Sequence, residues 1–410
     1  MIYFLQETFM KKLKFISAAV FLFCGMQSTT GYSDTVTSVS EMLTEGDTSL
    51  NFRYRYELVD QVGIDESANA STLKSRLTYK TATLNGVTGL VEVDNVTVVG
   101  AEQYKTPTNG QAGYPIVADP DGTDLNQLSL AYAADDYTAT LGRQRILHGG
   151  QRFVGGVGFR QNEQTYDALT LASKSLGSWS VNYSYIWDVN RIFGPKDSAV
   201  QAKVWESDSH IILGSTSLAD GHGLKAYSYL LDFENAAANS SRTLGFEYSG
   251  KFDGFSVAAA YATQSDYGSN PNSYDADYLM AQVTLPLKPA KLSLGYEVLG
   301  SDDGAAAFKT PLATLHKFQG WADKFLGTPA NGVKDSYVKL AGKVGSAKVA
   351  VFYHEFSADF GGADLGSEFD LVATYPIKKG LSAQLKYADY NANSHASDTE
   401  KVWFTINAKY

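Results

Sequence analysis

The last eleven residues of the chain alternate between apolar and polar side chains and end on an aromatic residue. Counting back from Tyr410, every second residue is apolar: Ala408, Ile406, Phe404 and Val402. The residues between them are mostly polar, with Trp403 as the exception. A period of two predicts a β-strand whose faces meet different surroundings. A terminal strand of this kind is typical of a barrel that closes within a membrane, because one face meets lipid and the other the lumen.

The opposite end of the chain carries the pattern of an export signal. Lys11, Lys12 and Lys14 precede an apolar run over residues 15–23, and small and polar residues follow. This run is shorter than the roughly 20 residues that a membrane helix requires. We therefore predict a secretory signal peptide over residues 1–33, with residues 1–9 as an extension from an upstream start codon. Residues 34–47 would then form a periplasmic N-terminal segment, and residues 48–410 the transmembrane barrel.

Composition agrees with an exported barrel. The 26 tyrosines and 21 phenylalanines would supply aromatic girdles at the membrane interfaces. The single cysteine, Cys24, lies within the predicted signal peptide, so the exported chain would have no disulfide and no thiolate metal site. The net charge of −10 argues against nucleic acid as a partner. We expect no cofactor, and as partners the outer-membrane bilayer, lipopolysaccharide, the barrel-assembly machinery and an anionic or carbohydrate solute.

The fold class predicted from the pattern is all-β, a transmembrane antiparallel barrel of 18 strands, with 16 as the alternative count. Many of the segments are close to the 9–11 residues that a tilted membrane strand needs. The predicted strands are 48–59, 70–82, 86–97, 125–133, 136–146, 163–173, 177–189, 206–216, 222–232, 242–250, 254–264, 273–286, 290–299, 334–344, 347–357, 367–376, 381–391 and 400–410.

The connections between these strands alternate in length. Short turns such as Asn85-Gly86, whose residues tolerate positive φ, alternate with longer polar loops, of which 300–333 is the longest. Short turns on one side and long loops on the other are typical of bacterial outer-membrane barrels. A soluble sandwich would not sort its loops in this way, and the chain shows no fixed short repeat of a β-helix.

Basic residues fall on the inward face of the first two strands. We predict that Arg53, Arg55, Lys74, Arg76 and Lys80 line the pore, where a basic wall would attract anions. Arg152 and Arg160, from the loop after the fifth strand, are added to this set. The alternative is that inward carboxylates such as Glu57, Glu92, Asp94 and Glu297 neutralise the wall, and the sequence leaves both interpretations open.

The loop over 300–333 carries an aromatic cluster that water would leave unfavourably exposed. We predict that it folds into the lumen as a constriction or caps the mouth, with packing outside the pore as the alternative. The residues proposed for this constriction are Leu315, Phe318, Trp321 and Phe325.

Three further features concern possible sites and the placement of charge. Asp119, Asp121 and Asp124 surround a glycine turn and form a weak calcium candidate, with a solvated acidic turn as the favoured alternative. No Gly-x-Ser-x-Gly elbow and no evident Ser/His/Asp set is present, so we predict that the protein is not an enzyme. Strand parity also places Arg143 and Arg145 on the lipid face, unless a bulge at Gly142 redirects them or they lie above the membrane.

Two stretches resemble the alginate-export family of outer-membrane barrels. One runs from Leu141 to Leu169 and includes Gly142-Arg143-Gln144, Gln151-Arg152-Phe153-Val154-Gly155 and Arg160-Gln161-Asn162. The other is 310–325, and the opening 52–57 is similar to the first strand of that family. The resemblance implies an 18-stranded porin, whose best-known members export an anionic uronate polymer.

Together these features predict a passive channel in the outer membrane of a Gram-negative bacterium. Its solutes would be anionic or sugar-like, with a uronate polysaccharide or oligosaccharide among them. A barrel without transport and an outer-membrane barrel enzyme are the alternatives.

Overall fold

The computed structural model describes residues 36–196 and 198–410, so the predicted signal peptide lies outside the described residues. Nearly all of the described regular structure is β-strand. One short helix, α1 (Val39–Thr44), begins at Ser38, whose side chain accepts a hydrogen bond from the backbone N–H of Glu41 at 3.2 Å. The helix lies at the short-turn end of the sheet, where Ala82 N–H donates to Met42 O at 3.1 Å. No helix in the described part of the chain is both long and apolar enough to cross a bilayer.

Eighteen antiparallel strands form one sheet, which confirms the predicted fold class and count. Each predicted strand corresponds to one observed strand. They are β1 (Asp47–Gln61), β2 (Ala68–Lys80), β3 (Val87–Gln103), β4 (Gly122–Ala134), β5 (Tyr137–Gln144), β6 (Thr165–Leu176), β7 (Trp179–Asn190), β8 (Val204–Ala219), β9 (His222–Leu231), β10 (Ser241–Phe252), β11 (Phe255–Asp266), β12 (Asp275–Leu287), β13 (Ala290–Leu299), β16 (Val333–Val344), β17 (Ala347–Ser357), β18 (Asp364–Lys378), β19 (Leu381–Ala392) and β20 (Thr399–Lys409). Between β13 and β16 the chain adds a small hairpin, β14 (Ser301–Asp302) and β15 (Ala306–Ala307).

The sheet closes on itself because the last strand pairs with the first. Tyr54 lies opposite Ile406, and Phe52 lies opposite Ala408. Closure leaves no free edge, so every strand has a neighbour on both sides. The two faces of the last strand therefore meet different surroundings, as its alternation predicts. Phe404 faces outward, and Trp403 is buried on the inner face.

Tight turns join the strands at one end of the barrel. At Asn85-Gly86 both residues have positive φ, 49° and 77°, which is the geometry of a primed hairpin turn and explains the Asn-Gly pair.

Gly142 does not redirect the arginine that follows it. Leu141 lies opposite Leu130 and Arg143 lies opposite Leu128, both exposed on the outer surface, so Arg143 stays on the outer face that strand parity predicts. Gly142 has a φ of 111°, a conformation that L side chains rarely adopt. Arg143 bonds to Asp167 at 2.7 Å, whereas Arg145 lies beyond the end of the strand and bonds to Glu163 at 2.6 Å. Both charges are therefore paired.

Candidate functional site in the barrel lumen

Two loops from the long-loop end of the barrel enter its interior. The first lumen loop, residues 145–164, connects β5 to β6, and the second, residues 308–325, connects β15 to β16. They bond to each other: Gly155 N–H donates to Leu312 O at 2.8 Å, and Thr314 N–H donates to Gln151 O at 3.0 Å. Phe153 contacts the Phe308 ring at a centroid distance of 5.8 Å. The two loops thus form one body inside the barrel.

Inner-face arginines of β1 hold the first lumen loop by its backbone. Arg53 Nη1 donates to the carbonyl oxygens of Gly158, Phe159 and Arg160 at 3.0, 3.2 and 3.1 Å. Arg55 Nη1 donates to Phe159 O at 2.6 Å. Both predicted residues point inward, but their donors are used by the loop rather than left open to the lumen.

The predicted basic residues of β2 are paired with carboxylates. Arg76 Nη2 lies 2.6 Å from Asp94 and 2.9 Å from Glu163, and Lys74 Nζ lies 3.5 Å from Glu163. Burial alone would raise the pKa of Glu163, but these two cations and Arg145 together lower it well below its ordinary value. Lys80 is exposed at the short-turn end of β2, opposite Asp47, and the structure does not bring it into this cluster.

The two predicted arginines of the first lumen loop reach the walls and the second loop. Arg160 bonds to Glu57 at 3.0 Å and to Asp323 of the second loop at 2.9 Å. Arg152 bonds to Glu297 on β13 at 2.7 Å. Burial alone would lower the pKa of the Arg160 guanidinium, yet the surrounding carboxylates raise it above its ordinary value, so it stays charged. Of the basic residues predicted to line the pore, Lys74, Arg76, Arg152 and Arg160 are therefore paired with carboxylates.

Aromatic residues predicted for the constriction pack mostly on the wall. Trp321 contacts Phe352 at a centroid distance of 5.1 Å, and Phe325 contacts Phe356 at 4.6 Å. The Phe318 ring lies under the Arg152 guanidinium at 4.6 Å. Leu315 begins a short 3-10 turn and is half-buried.

Phe159, which the sequence analysis did not select, lies where the two loops meet the wall. Its ring stacks on the His316 ring at a centroid distance of 3.6 Å. The Arg55 guanidinium lies over the same ring, 4.1 Å from its centroid. Lys386 on β19 lies 4.6 Å from this ring and 3.7 Å from the Trp321 ring. Burial lowers the pKa of His316 well below its ordinary value, although Asp323 lies 2.7 Å from its Nδ1 and acts in the opposite direction, so the ring is neutral. Inward parity on β19 was the sequence signal that could have identified Lys386.

A cavity of about 440 Å³ remains between the lumen loops and the wall. Cations line it on several sides: Arg145, Lys317 and Lys386. Aromatic rings and one carboxylate complete much of its lining: Phe159, His316, Trp321 and Glu163. Charged donors beside flat rings suit an anion with a planar or sugar-like body.

The calcium candidate does not form a site, because its three carboxylates have different partners. Asp119 accepts from Gln161 N–H at 2.7 Å, and Asp121 pairs with Lys196 at 2.7 Å. Asp124 lies 4.0 Å from Arg143. Among the described residues, no group of three or more His, Cys, Asp and Glu side chains could hold a metal ion.

Several solved barrels share this fold. OccAB4 of Acinetobacter baumannii has 16% identity and a TM-score of 0.67, covering 90% of this chain and 98% of that chain. OpdK of Pseudomonas aeruginosa, crystallised with vanillate, has 13% identity and a TM-score of 0.68, covering 89% and 98%. OccD3 (OpdP) of the same organism has 15% identity and a TM-score of 0.67, covering 90% and 91%.

No family model and no curated protein matches the chain. The resemblance to the alginate-export family therefore stays a prediction. At these low identities the solved structures establish the fold: the chain forms a closed 18-stranded antiparallel barrel like those of OccAB4 and OpdK.

Proposed function

We propose that the protein is a passive outer-membrane channel for small anionic solutes. The observation that carries this proposal is the cavity in the lumen, where Arg145, Lys317 and Lys386 surround a space of about 440 Å³. Such an arrangement concentrates anions and orients a carboxylate without any covalent step. The fold shared with the Occ porin structures is consistent with this function.

Placement in a membrane explains the outer surface of the barrel. Large apolar side chains face outward and are exposed on strands all around it, among them Leu130, Leu244, Leu340 and Leu385. An apolar surface of this extent is unfavourable in water and is the requirement for contact with lipid tails. A Gram-negative outer membrane is the location that we infer.

The rings of the cavity favour a solute with a flat or sugar-like body. Vanillate, which is present in the OpdK structure, is a small aromatic carboxylate of this general kind. A uronate sugar is a second candidate. The stretches that resemble the alginate-export family, 141–169 and 310–325, include most of the two lumen loops that border the cavity.

Planar-bilayer recordings of the purified protein test the proposal. We expect open channels whose reversal potential in a salt gradient favours anions, and Lys317→Gln should reduce that preference. Lys379→Gln, in the exposed turn between β18 and β19, is the control and should leave it unchanged. Adding vanillate and, separately, galacturonate oligomers compares the two solute classes by the block of current that each produces. A barrel that conducts no ions would favour the structural alternative, and turnover of an added ester or peptide would favour an enzyme.

A further inference from the structure

Two acidic residues on the inner face of β18 are completely buried behind the second lumen loop. Glu368 and Asp370 are each 0% exposed. They lie two residues apart on one face of the strand, about 7 Å along it, and their carboxyl groups interact with each other. Neither belongs to the cavity described above.

Glu368 holds the second lumen loop by its backbone. Its Oε1 accepts hydrogen bonds from Ala322 N–H at 2.7 Å and from Trp321 N–H. Gly320, immediately before these donors, has a φ of 76°, and an ideal Cβ there would meet the Glu368 carboxylate. The loop backbone is therefore fitted closely around this one side chain.

The other oxygens of the pair accept no hydrogen bond within the described residues. These are Glu368 Oε2 and both Asp370 oxygens. A buried acceptor without a donor is costly, and two neighbouring carboxylates in a poorly solvated place repel each other. A single proton held between the two groups supplies a donor and removes the repulsion.

Charges packed around the pair lead to the same conclusion. His354 on β17 lies between Asp335, at 2.9 Å, and Asp370, at 3.7 Å. Lys386 faces the pair from β19, and Asp323 in the loop is paired separately with Arg160 and Lys401. One shared proton leaves Glu368 and Asp370 with one negative charge between them, which reduces the charge that the neighbouring His354 and Lys386 must balance. His316, whose Nε2 contacts Lys386 Nζ, is neutral and does not change this balance.

We propose that Asp370 holds a proton and donates a hydrogen bond to the Glu368 carboxylate, and that this carboxyl pair positions the second lumen loop. Glu368 keeps the negative charge because two backbone N–H groups already bond to it. Loss of the proton places a second charge beside Glu368, so its carboxylate moves and releases Trp321 and Ala322. The channel should therefore carry a proton-dependent loop that is held at neutral pH and loosened in alkaline solution.

Hydrogen exchange of the loop amides tests this directly in detergent-solubilised protein. After normalisation to the intrinsic exchange rate at each pH, the peptide covering 319–323 should exchange about tenfold faster or more once the proton is lost, the ratio expected for one charge-assisted bond. Asp370→Asn places a permanent N–H donor where the proton is proposed, so its loop should stay protected over the same pH range. Glu368→Gln weakens the acceptor and should reduce protection at every pH.

Two control variants separate this pair from other titrating groups. Asp389→Asn removes an outward-facing carboxylate from β19 and should leave the pH dependence intact. His354→Gln should also retain the alkaline change, because His354 is not the proposed proton carrier. Heat-modifiable mobility on gels verifies that each variant has folded.

Constant protection of 319–323 in the wild type, or an alkaline change that persists in Asp370→Asn, would overturn the proposal. The exchange measurement needs no transport, so it tests the carboxyl pair whether or not the protein is a channel. Only an effect of the loop on ion conductance rests on the proposed function. A barrel that shows the exchange step but no ion current would retain the carboxyl pair and refute the channel.

Discussion

Arg160 illustrates how much of the lumen depends on single buried charges. Its guanidinium joins Glu57 on the wall to Asp323 in the second loop. Removing it leaves the buried Glu57 carboxylate without the cation that bonds to it, a change that typically costs about 3–5 kcal/mol. We expect Arg160→Gln to lower the urea midpoint for unfolding of the lumen loops, followed by tryptophan fluorescence, since Trp321 and Trp403 lie nearby. Arg242→Gln, at an exposed position, should have almost no effect.

Substitutions of Arg53 can separate the effect of its planar guanidinium on the loop from the effect of its charge on ion selectivity. The guanidinium donates to three successive carbonyls, which a lysine ammonium cannot reproduce in the same plane. In planar bilayers, Arg53→Lys should give larger current fluctuations at an unchanged reversal potential, because the first lumen loop is less well held. Arg53→Gln should also shift the reversal potential toward cations. Current fluctuations of wild-type size in Arg53→Lys would show that these hydrogen bonds do not restrain the loop.

The ion pairs of Glu163 should make the stability of the first lumen loop depend on pH in the acidic range. Its pKa is lowered in the folded protein, despite burial, by Lys74, Arg76 and Arg145. A carboxyl group of this kind stabilises the fold fully above its unfolded pKa of about 4.3, and the contribution disappears as pH falls from there toward the lower folded value. Urea midpoints of wild type should therefore decrease on acidification through this window. Glu163→Gln should be less stable at neutral pH and lose less on acidification, whereas Glu355→Gln, outside the barrel, should behave as wild type.

At the scale of strands and loops, the alternating strands were predictable and the interior of the loops was not. The sequence pattern located all eighteen strands within a few residues, because period-two alternation is imposed by a wall that separates two solvents. It also placed Arg53 and Arg55 on the inner face. It did not show that the single Phe159 carbonyl would accept hydrogen bonds from both arginines, because that contact joins residues more than a hundred positions apart and depends on how a loop without periodicity folds.

The same limit explains Lys80 and the calcium candidate. Parity places Lys80 inward, but height along the barrel decides what a side chain contacts, and Lys80 lies at the very end of β2. Asp119, Asp121 and Asp124 are close in sequence, yet Asp119 turns into the lumen while Asp121 meets a loop lysine. Spacing alone does not determine which side of a turn a carboxylate faces.

Deleting residues 310–325 tests whether the second lumen loop limits the conductance of the barrel. The segment lies between β15 and β16, and the flanking wall strands β13 and β16 pair directly with each other, so the barrel should still assemble. Because the deletion also removes the partners of Gly155 and Gln151, the first lumen loop should become less ordered, and single-channel conductance should rise. Deleting the exposed rim residues 271–273 is a smaller control that should not change conductance. An assembled deletion variant with wild-type conductance would place the narrowest part elsewhere, with the first lumen loop as the next candidate.

At the scale of the whole molecule, the barrel encloses a polar and aromatic interior within an apolar outer surface. Buried ion pairs, cation–π contacts and two interlocked loops occupy the region where a soluble protein would have an aliphatic core. Such an interior is stable because the closed sheet leaves no backbone edge and the loops satisfy much of the inner-wall charge. The outer surface, by contrast, has no comparable source of stability in water.

This contrast leads to a prediction about where the protein is found and how it behaves. With leucines exposed around its outer surface, the folded barrel should require lipid or detergent, and the mature chain should fractionate with the outer membrane. Closed hydrogen bonding between β1 and β20 should keep the barrel folded in cold detergent, so unheated protein should migrate faster on a gel than boiled protein. Tyr54→Pro, in the middle of the closing pair, should lose this mobility difference because proline has no backbone N–H to donate to the ladder. Recovery of the wild-type protein as a soluble periplasmic species would refute the membrane assignment and with it the proposed channel.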